Sequence, residues 1–326
     1  MVVKSARVPL RFPITFACAA LLTAFAAGPA RAVTLEDATG RRVNVHDTSR
    51  IVSIGGAITE ILYTLGLEKK IVAIDTTSLY PPQAAGEKKS VGYMRQLSPE
   101  GVLGLAPTLI VTIEGAGPKE TMTILQSSGI PLVVAPDHFT GEGIVEKIDL
   151  VAKATDTAVR GQCVIDRVRA DLSALGAIKG AIAKPKRVLF VLSFVSGRAM
   201  VAGRNTAADG IIRLAGATNA IAEYDGYKPI NDEAVIAARP DVVLVMERSS
   251  GQNLTSEAVF THPAFGATPA AASKAFVSMD GLYLLGFGPR SARAARDLAT
   301  SIYPEVKSKP LPSEDKASAA ETCRAL

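Results

Sequence analysis

Three observations predict a two-lobed α/β protein. Short apolar runs typical of buried strands alternate with stretches of helical periodicity, which is the pattern of a parallel sheet covered by helices. A pattern of helix cap, helix, proline and strand occurs twice, once around Glu100 and once around Glu233. A long helical stretch separates the two halves. We therefore expect two Rossmann-like lobes joined by a long helix, a division that suits a chain of 326 residues.

The N-terminal lobe is predicted to span residues 33–140. Its strands are the apolar runs at residues 50–54, 71–74, 109–113 and 131–135. A helix is predicted at residues 57–65, because apolar residues recur there at helical spacing and Gly66 follows them. A second helix is predicted at residues 119–127.

Residues 141–178 are predicted to form the connecting helix. No proline interrupts this stretch, and its apolar residues are compatible with one continuous helix of roughly 50 Å. Such a helix is long enough to link two domains. Because Gly161 lies inside the stretch, the alternative is two helices with a kink at this glycine.

The C-terminal lobe is predicted to span residues 179–306. Its predicted strands are residues 188–192, 242–246 and 275–277, and its predicted helices are residues 206–214, 232–238 and 289–302. Residues 307–326 form a tail rich in Pro, Ser, Lys and Glu. This composition is typical of disorder, so the tail is predicted to be disordered.

The repeated pattern places Glu100 and Glu233 at equivalent positions, in the first turn of a short helix. Pro107 and Pro240 end the two helices, and a strand follows each. Either the lobes are a duplication, or two ordinary αβ units share the same local pattern. Each glutamate complements the dipole of its own helix. Together they could also present one carboxylate per lobe to a basic partner surface.

The first 32 residues have the pattern of a secretory signal peptide. A basic start is followed by an uncharged, alanine-rich stretch that ends in an Ala-x-Ala sequence, so cleavage is predicted after Ala32. The alternative is an uncleaved membrane anchor. The apolar run is near the lower length limit for a span and is broken by Pro13, which favours cleavage and export to the periplasm.

Two of the three cysteines, Cys163 and Cys323, would remain in the exported chain. So few cysteines exclude a fold that depends on a disulfide framework. An oxidising compartment would permit these two to pair. Because Cys323 lies in the polar tail, we expect two free thiols instead.

The charge balance argues against nucleic acid as a partner. The first 32 residues contain four of the 36 basic side chains, Lys4, Arg7, Arg11 and Arg31, and no acidic side chain. The rest of the chain has 32 basic and 31 acidic side chains. Proteins that grip phosphates usually carry a basic excess, which the exported chain lacks.

No motif of a known catalytic site is present. The sequence lacks the G-x-S-x-G elbow, the Walker A lysine motif and H-E-x-x-H. Gly55 and Gly56 lie between a strand and a helix without the full G-x-G-x-x-G spacing. Three dispersed histidines make a metal site built from imidazoles improbable. We therefore expect a protein that binds a ligand and is not an enzyme.

The candidate ligand-binding side chains are tyrosines and cations in loops that should face a cleft between the lobes. In the first lobe the loop at residues 75–82 presents Tyr80 ahead of two prolines, which stiffen it. The remaining candidates are Tyr93, Met94 and Arg95 in the first lobe and Arg204, Tyr227 and Lys228 in the second.

Several strings in these regions resemble one family. V-G-Y-M-R-Q-L at residues 91–97, D-T-T-S-L-Y-P at 75–81 and Y-K-P-I at 227–230 are similar to the periplasmic haem-binding proteins of bacterial haem-uptake ABC transporters. T-E-I-L-Y-T-L-G-L at 59–67 is shared with the wider group of cobalamin and ferric-siderophore binding proteins. The resemblance covers about residues 50–302 and implies the class III periplasmic binding protein fold.

The resemblance implies that Tyr80 is the axial ligand of ferric haem iron. A phenolate is a hard anionic donor, and tyrosine ligates haem in catalase as well. Five-coordinate iron with this single ligand is expected. Haem also carries two propionates, which a guanidinium fits well, and a broad apolar ring. The implied pocket residues are Arg95 as first choice for a propionate or phenolate partner, Lys228 and Arg204 as weaker choices, and Tyr93, Met94 and Tyr227 against the porphyrin.

The same resemblance implies the partners. Glu100 and Glu233 would dock onto an ABC permease dimer with its ATPase, with Glu60 as a lesser candidate. An outer-membrane haem receptor system would act upstream. The alternatives are a ferric-siderophore or cobalamin binding protein of the same class, or a haem-modifying enzyme on a similar fold, for which no acid–base pair is visible.

Overall fold

A computed structural model describes residues 1–3, 32–195, 198–248, 251, 253–306, 310–314 and 319–326. The chain divides into two compact units, Met1–Arg31 and Ala32–Leu326, and the second unit holds both predicted lobes. The predicted signal peptide between residues 4 and 31 lies outside the described residues. Within the described part of the chain, no helix has the length and apolar character needed to cross a bilayer.

The first lobe is built on a five-stranded parallel sheet. Ahead of it, β1 (Val33–Glu36) and β2 (Arg42–Val45) pair as an antiparallel hairpin. The sheet has the order β5-β4-β3-β6-β7 and comprises β3 (Ile51–Ile54), β4 (Ile71–Ile74), β5 (Lys89–Ser90), β6 (Leu109–Ile113) and β7 (Leu132–Ala135). Its helices are α1 (Gly56–Thr64), α2 (Pro82–Glu87), α3 (Pro99–Leu103) and α4 (Lys119–Ser127), with a 3₁₀ turn at Glu68–Lys70.

The connection consists of α5 (Gly141–Ala154) and α6 (Ala158–Gly180), so the prediction of one helix over residues 141–178 is wrong. The break lies at Asp156, whose φ of 53° is left-handed. Beside it, the Thr155 and Thr157 hydroxyls donate to the carbonyl of Ala152 and compete with helix continuation. Gly161 does not kink α6. It lets α5 approach, because a Cβ there would lie 2.3 Å from the Cβ of Ala152.

The second lobe contains a mixed sheet of order β11-β9-β8-β12-β13, with β10 paired to β8 outside this path. Its strands are β8 (Arg187–Val195), β9 (Arg198–Ala202), β10 (Thr218–Asn219), β11 (Tyr227–Ile230), β12 (Val242–Glu247) and β13 (Phe276–Asp280). Its helices are α7 (Ala207–Leu214), α8 (Asp232–Ala238), α9 (Ser256–Phe260), α10 (Pro263–Gly266), α11 (Pro269–Ala272), α12 (Gly281–Leu285) and α13 (Ser291–Ile302). β9 runs antiparallel to both neighbours, whereas β12 is parallel to β8 and β13. The α/β class is confirmed.

The apolar core runs through both lobes. One cluster joins the strands of the first sheet to one face of the second sheet, where Phe190 and Leu244 contribute. The opposite face of the second sheet, with Leu189 and Val243, belongs to a separate cluster. Successive residues of a strand point to opposite faces, which explains this division. Because the lobes share the larger cluster, packing holds them together in addition to the two connecting helices.

The repeated sequence pattern has the same local structure in both lobes. Ser98 caps α3 by accepting a hydrogen bond from a backbone N–H three residues on, and Asn231 caps α8 in the same way. Ahead of the two prolines, Ala106 and Arg239 both adopt left-handed backbone, with φ of 47° and 43°. The shared geometry places Glu100 and Glu233 in corresponding first turns.

The predicted disorder of the tail is wrong for its described residues. Leu311 is buried, and Ser313 donates to both carboxylate oxygens of the buried Asp171 on α6. Residues 319–324 form α14 (Ala319–Arg324). The composition predicted disorder because it does not reveal distant partners that bury and hydrogen-bond the segment.

A disulfide between Cys163 on α6 and Cys323 on α14 corrects the expectation of two free thiols. The Cα atoms lie 5.6 Å apart, within the usual range for a bridge. Cys323 is fully buried. The two cysteines are 160 residues apart in sequence, so no local pattern could show their proximity.

Glu314 anchors the tail to α13. Burial by itself would raise the pKa of its carboxyl group, but hydrogen bonds from Arg296 and from the backbone of Leu311 outweigh burial and lower the pKa below its ordinary value. The folded tail is therefore stabilised by the ionised carboxylate, and this stabilisation is lost as the pH falls through the lowered pKa.

Removing the disulfide should destabilise the protein. We expect the Cys163→Ser/Cys323→Ser double variant to lose about 2–5 kcal/mol of unfolding free energy in urea, because the bridge restricts the unfolded chain. Dithiothreitol should lower the stability of the wild type to that of the double variant and leave the double variant unchanged. Two titratable thiols in the unreduced, denatured wild type would contradict the bridge.

Candidate functional site

The loop after β4 is held by one buried carboxylate. Asp75, which is 1% exposed, accepts hydrogen bonds from the backbone N–H groups of Gly55 at 2.8 Å and Thr77 at 2.9 Å. The Ser78 hydroxyl donates to the same carboxylate at 2.9 Å. Asp75 thereby ties the start of α1 to the loop that leads to Tyr80. This loop follows the carboxyl end of a parallel strand, as the sequence predicts.

Tyr80 presents a free phenol at this end of the first lobe. Tyr80 is 38% exposed. The guanidinium carbon of Arg290, from the second lobe, lies 3.4 Å from the centroid of its ring. Among the described residues, the Tyr80 hydroxyl has no hydrogen-bond partner. The oxygen is therefore available to an external ligand while the ring is supported from across the lobe boundary.

Glu60 and Arg290 form an ion pair between the lobes. Arg290 Nη2 lies 3.0 Å from Glu60 Oε2, and the backbone N–H of Arg290 donates to Oε1 at 3.1 Å. The Glu60 side chain is 4% exposed, so the expectation that it helps to dock a partner is wrong. Sequence reasoning missed Arg290 because its partner is 230 residues away.

The loop after β5 continues the site. It is joined to the Tyr80 loop by a hydrogen bond from the backbone N–H of Thr76 to the carbonyl of Gly92, at 2.9 Å. In this loop Arg95 Nη1 donates to the Tyr93 hydroxyl at 2.9 Å. Tyr93 is 38% exposed. Both predicted side chains therefore lie beside Tyr80's loop, at the surface of the first lobe.

Tyr227 lies in the second lobe, in strand β11 instead of in the predicted loop. Burial raises the pKa of its phenol, although hydrogen bonding with Ala208 and Thr206 and the positive charge of Arg95 act in the opposite direction. Its ring packs edge to face against that of Phe190, with the two ring centroids 6.3 Å apart. Since the charge of Arg95 acts on this phenol, the guanidinium of the first lobe and the tyrosine of the second lobe lie near each other.

Lys228 is directed away from Tyr227. Lys228 is paired with Val201 of β9, and paired residues of adjacent strands point to the same face of the sheet. Val201 belongs to the core cluster on one face of the second sheet, whereas Tyr227 contacts Phe190 on the other face. The Lys228 ammonium lies 4.9 Å from the ring centroid of Tyr224. Arg204 Nε pairs with Asp225 at 3.0 Å. These two predicted cations already have partners on their own lobe.

Met94 is buried in the core that the lobes share, with 8% exposure. The expectation that it packs against a ligand therefore has no support from its placement, because an apolar, flexible side chain fills a core gap equally well. Its neighbours in sequence, Tyr93 and Arg95, remain at the surface.

Glu100 and Glu233 are both exposed, one on each lobe. Hydrogen bonding from its own backbone N–H, followed by that from the Ser98 hydroxyl, lowers the pKa of Glu100. Glu233 lies in the first turn of α8. Both carboxylates are thus accessible to a partner surface.

One recess of about 550 Å³ lies apart from these residues. It is bounded by β1, by α5 and by the segments after β6 and β7, and none of the predicted ligand-binding residues lines it. Among the described residues, no three His, Cys, Asp or Glu side chains are grouped so that they could hold a metal ion.

Two α/β lobes that meet at tyrosine and arginine side chains define a two-lobed binding protein. The family model described as periplasmic binding protein matches residues 51–282, and the chain belongs to this family. The match begins at β3 and ends in α12, so it covers both sheets.

Solved structures of haem-binding proteins have the same fold. The periplasmic heme-binding protein RhuT from Roseiflexus sp. RS-1 is 36% identical, with a TM-score of 0.75, and the match covers 80% of this chain and 100% of that one. The periplasmic heme-binding protein HutB of Vibrio cholerae is 38% identical, with a TM-score of 0.71 and coverage of 79% and 100%.

Curated relatives include an ABC transporter substrate-binding lipoprotein and a vitamin B12-binding protein. An uncharacterized ABC transporter substrate-binding lipoprotein, YvrC of Bacillus subtilis, is 24% identical over 84% of this chain and 86% of its own length. The vitamin B12-binding protein of Vibrio parahaemolyticus is 28% identical over 60% of this chain and 69% of its own. The chain is therefore similar to substrate-binding proteins of ABC transporters.

Asp75 should be essential to the stability of the Tyr80 loop. We expect Asp75→Ala to cost about 2–4 kcal/mol of unfolding free energy, because it leaves buried donors without an acceptor. Asp47→Ala is the matched control: Asp47 makes the same kind of turn with Ser49 but is exposed, so its loss should cost only about 0.5 kcal/mol. Equal losses in chemical denaturation would contradict the role of Asp75.

Proposed function

We propose that this protein binds haem between its two lobes and delivers it to an inner-membrane ABC importer. The observation that carries the proposal is the Tyr80 phenol, which is exposed, free of hydrogen bonds among the described residues and supported by a cation from the opposite lobe. Its oxygen is suited to ferric iron, because iron favours the deprotonated, anionic form of a phenol. Haem is here the transported cargo.

The surrounding residues suit the rest of the haem molecule. Arg95 offers a guanidinium for a propionate, and Tyr93 and Tyr227, which are 38% and 36% exposed, offer ring surface for the porphyrin. Lys228 and Arg204 would have to leave Tyr224 and Asp225 to contact haem. We therefore place them second to Arg95.

Similarity supports haem over the other ligands of this class. RhuT and HutB are described as heme-binding, and each is matched over almost its whole length at more than 35% identity. The relative that binds vitamin B12 is less similar and keeps cobalamin as the second candidate. A ferric siderophore is a third ligand of the same class. All three proposals make the protein a carrier and not an enzyme.

The transport role includes export and docking. We propose cleavage after Ala32, with the two lobes and the connecting helices acting in the periplasm downstream of an outer-membrane haem receptor system. Glu100 and Glu233 would contact one permease subunit each of a dimer that is driven by its ATPase. The shared geometry of α3 and α8 supports this, because a two-fold partner requires two equivalent contacts.

Replacing the iron ligand should abolish the haem spectrum. We expect hemin to give the wild-type protein a Soret band and a charge-transfer band of phenolate-ligated iron, and Tyr80→Phe to lower the affinity by roughly two orders of magnitude, about 2.7 kcal/mol. Spectrophotometric titration measures both. Tyr224→Phe is the control: its hydroxyl is buried and has no hydrogen-bond partner among the described residues, so its loss should leave binding unchanged.

Each alternative has its own result in this titration. A wild-type spectrum that hemin leaves unchanged, with binding of cyanocobalamin or a ferric siderophore by calorimetry, overturns haem in favour of that ligand. Loss of the Soret band in the presence of a reductant and oxygen would indicate a haem-degrading enzyme. A Tyr80→Phe variant with the wild-type spectrum removes Tyr80 as the ligand.

The paired glutamates should affect transport and not ligand binding. We expect Glu100→Lys and Glu233→Lys each to reduce haem uptake by permease-containing vesicles about tenfold, because each places a cation opposite a basic partner surface. Hemin affinity should stay at the wild-type value. Glu257→Lys, in the first turn of the short helix α9, is the matched control. Wild-type uptake by both glutamate variants would refute the docking role.

A further inference from the structure

The C-terminal tail contacts the second lobe, the connection and the first lobe in turn. Residues 310–314 lie against α13 and α6, and α14 lies against α6 and the end of α1. Arg324 of α14 also lies 3.7 Å from Glu68, in the 3₁₀ turn directly before β4. The Tyr80 loop follows the other end of that strand. The tail therefore links the lobes on the side of the first sheet that is away from Tyr80.

The attachment at residues 310–314 consists of well-partnered polar groups. The buried Asp171 carboxylate on α6 accepts from the backbone N–H of Ser313 at 2.9 Å and from its hydroxyl at 2.5 Å. Glu314 accepts from Arg296 Nη2 at 3.0 Å, and Leu311 is buried beside it. Because these groups satisfy one another, this part of the tail stays in place without a covalent link.

The attachment of α14 to the first lobe is less well satisfied. Arg324 donates to the carbonyl of Tyr63 at the end of α1. However, the Tyr63 hydroxyl, Glu68 Oε2 and Arg324 Nε are buried and have no hydrogen-bond partner within the described part of the chain. Each such atom costs about 1–3 kcal/mol. A helix as short as α14 also has little stability of its own. Polar contacts alone therefore hold α14 only weakly.

The disulfide supplies what this contact lacks. It joins Cys163 on α6 to Cys323 on α14, and Cys323 directly precedes Arg324. Cys323 is fully buried, so the bridge lies inside the contact that it holds together. Cys163 is only half-buried, which gives an attacking thiolate a path to the bridge.

We propose that the tail is a strap across the two lobes, and that its contact with the first lobe depends on the redox state of Cys163 and Cys323. When the bridge forms, the two thiols give two electrons and two protons to a disulfide oxidant, which becomes a dithiol. A dithiol reductant reverses the step and becomes a disulfide. After reduction α14 leaves the end of α1, whereas residues 310–314 stay bound to α6 and α13.

The redox compartment then decides whether the strap is closed. A reducing compartment keeps both thiols free, so the chain there has no link from the tail to the first lobe. Export into an oxidising compartment closes the strap. This last step rests on the export proposed above, whereas the strap itself is independent of which ligand the protein binds.

Hydrogen–deuterium exchange of the purified protein, read by mass spectrometry after short labelling, tests the strap. The reporting amides are those of Gly66 and Leu67, which donate to the carbonyls of Tyr63 and Leu62 at 3.0 Å. They lie beside Arg324, because a Cβ on Gly66 would be 3.4 Å from its Cγ. We expect dithiothreitol to accelerate their exchange about tenfold, since α14 covers them only while the bridge is intact.

Two other segments show that the effect is local. The amides of α13, which residues 310–314 contact, should keep the rate of the oxidised protein. Those of β6, in the core of the first sheet, should stay protected throughout the labelling, because only local opening contributes on this timescale.

Variants separate the bridge from the contacts around it. Cys163→Ser/Cys323→Ser should exchange at Gly66 and Leu67 like the reduced wild type, with or without dithiothreitol. Adding Arg324→Ala to this double variant should have no further effect, because the contact with Tyr63 is already lost. Ser313→Ala is the matched control in the other attachment and should leave the rate at Gly66 and Leu67 unchanged in the oxidised protein.

Three results would overturn the inference. The first is an unchanged rate at Gly66 and Leu67 in the reduced, folded protein, which would make the bridge a stabilising link only. The second is an equal acceleration in α13, which would mean that the tail leaves as one unit. The third is an effect of Arg324→Ala in the double variant, which would show α14 still in place without the bridge. All measurements are made without ligand, so a failed hemin titration leaves this inference standing.

Discussion

The site depends on one ion pair between the lobes. In this pair a carboxylate of the first lobe is almost fully buried against an arginine of the second lobe. Removing one partner of such a pair leaves an uncompensated charge in an apolar setting, which is far more costly than the net gain from forming the pair. Glu60 and Arg290 therefore fix where α1 and the start of α13 meet. The loop that carries Tyr80 lies against this contact, so the geometry of the phenol follows from it.

A second buried charge supports the same arrangement from the connecting segment. The ammonium of Lys147 on α5 is fully buried, lies 2.9 Å from Asp137 and donates to the carbonyl of Phe287 at 3.4 Å. The rings of Phe287 and Phe139 pack together, with their centroids 5.3 Å apart. With a core that continues through both lobes, these contacts restrict hinge motion without a single continuous strut.

Sequence reasoning succeeded where the determining forces are local. Strand β4 and helix α4 match their predicted limits, because apolar runs and helical periodicity reflect nearest neighbours along the chain. The helix break at Asp156 was missed because hydroxyls of Thr155 and Thr157 compete for helix carbonyls at positions without proline. The direction of Lys228 was missed because a proline obscured strand β11. Interactions between distant segments, such as Glu60 with Arg290, leave no local pattern.

The bridge between Cys163 and Cys323 turns most of the second lobe into a covalent ring. Every strand of the second sheet lies between the two cysteines. A protease that cuts one loop within this ring opens it, but the two resulting ends stay attached to the same molecule through sulfur. A nicked molecule would thus keep its two lobes together in an oxidising compartment, and only a second cut or a reductant would release a fragment.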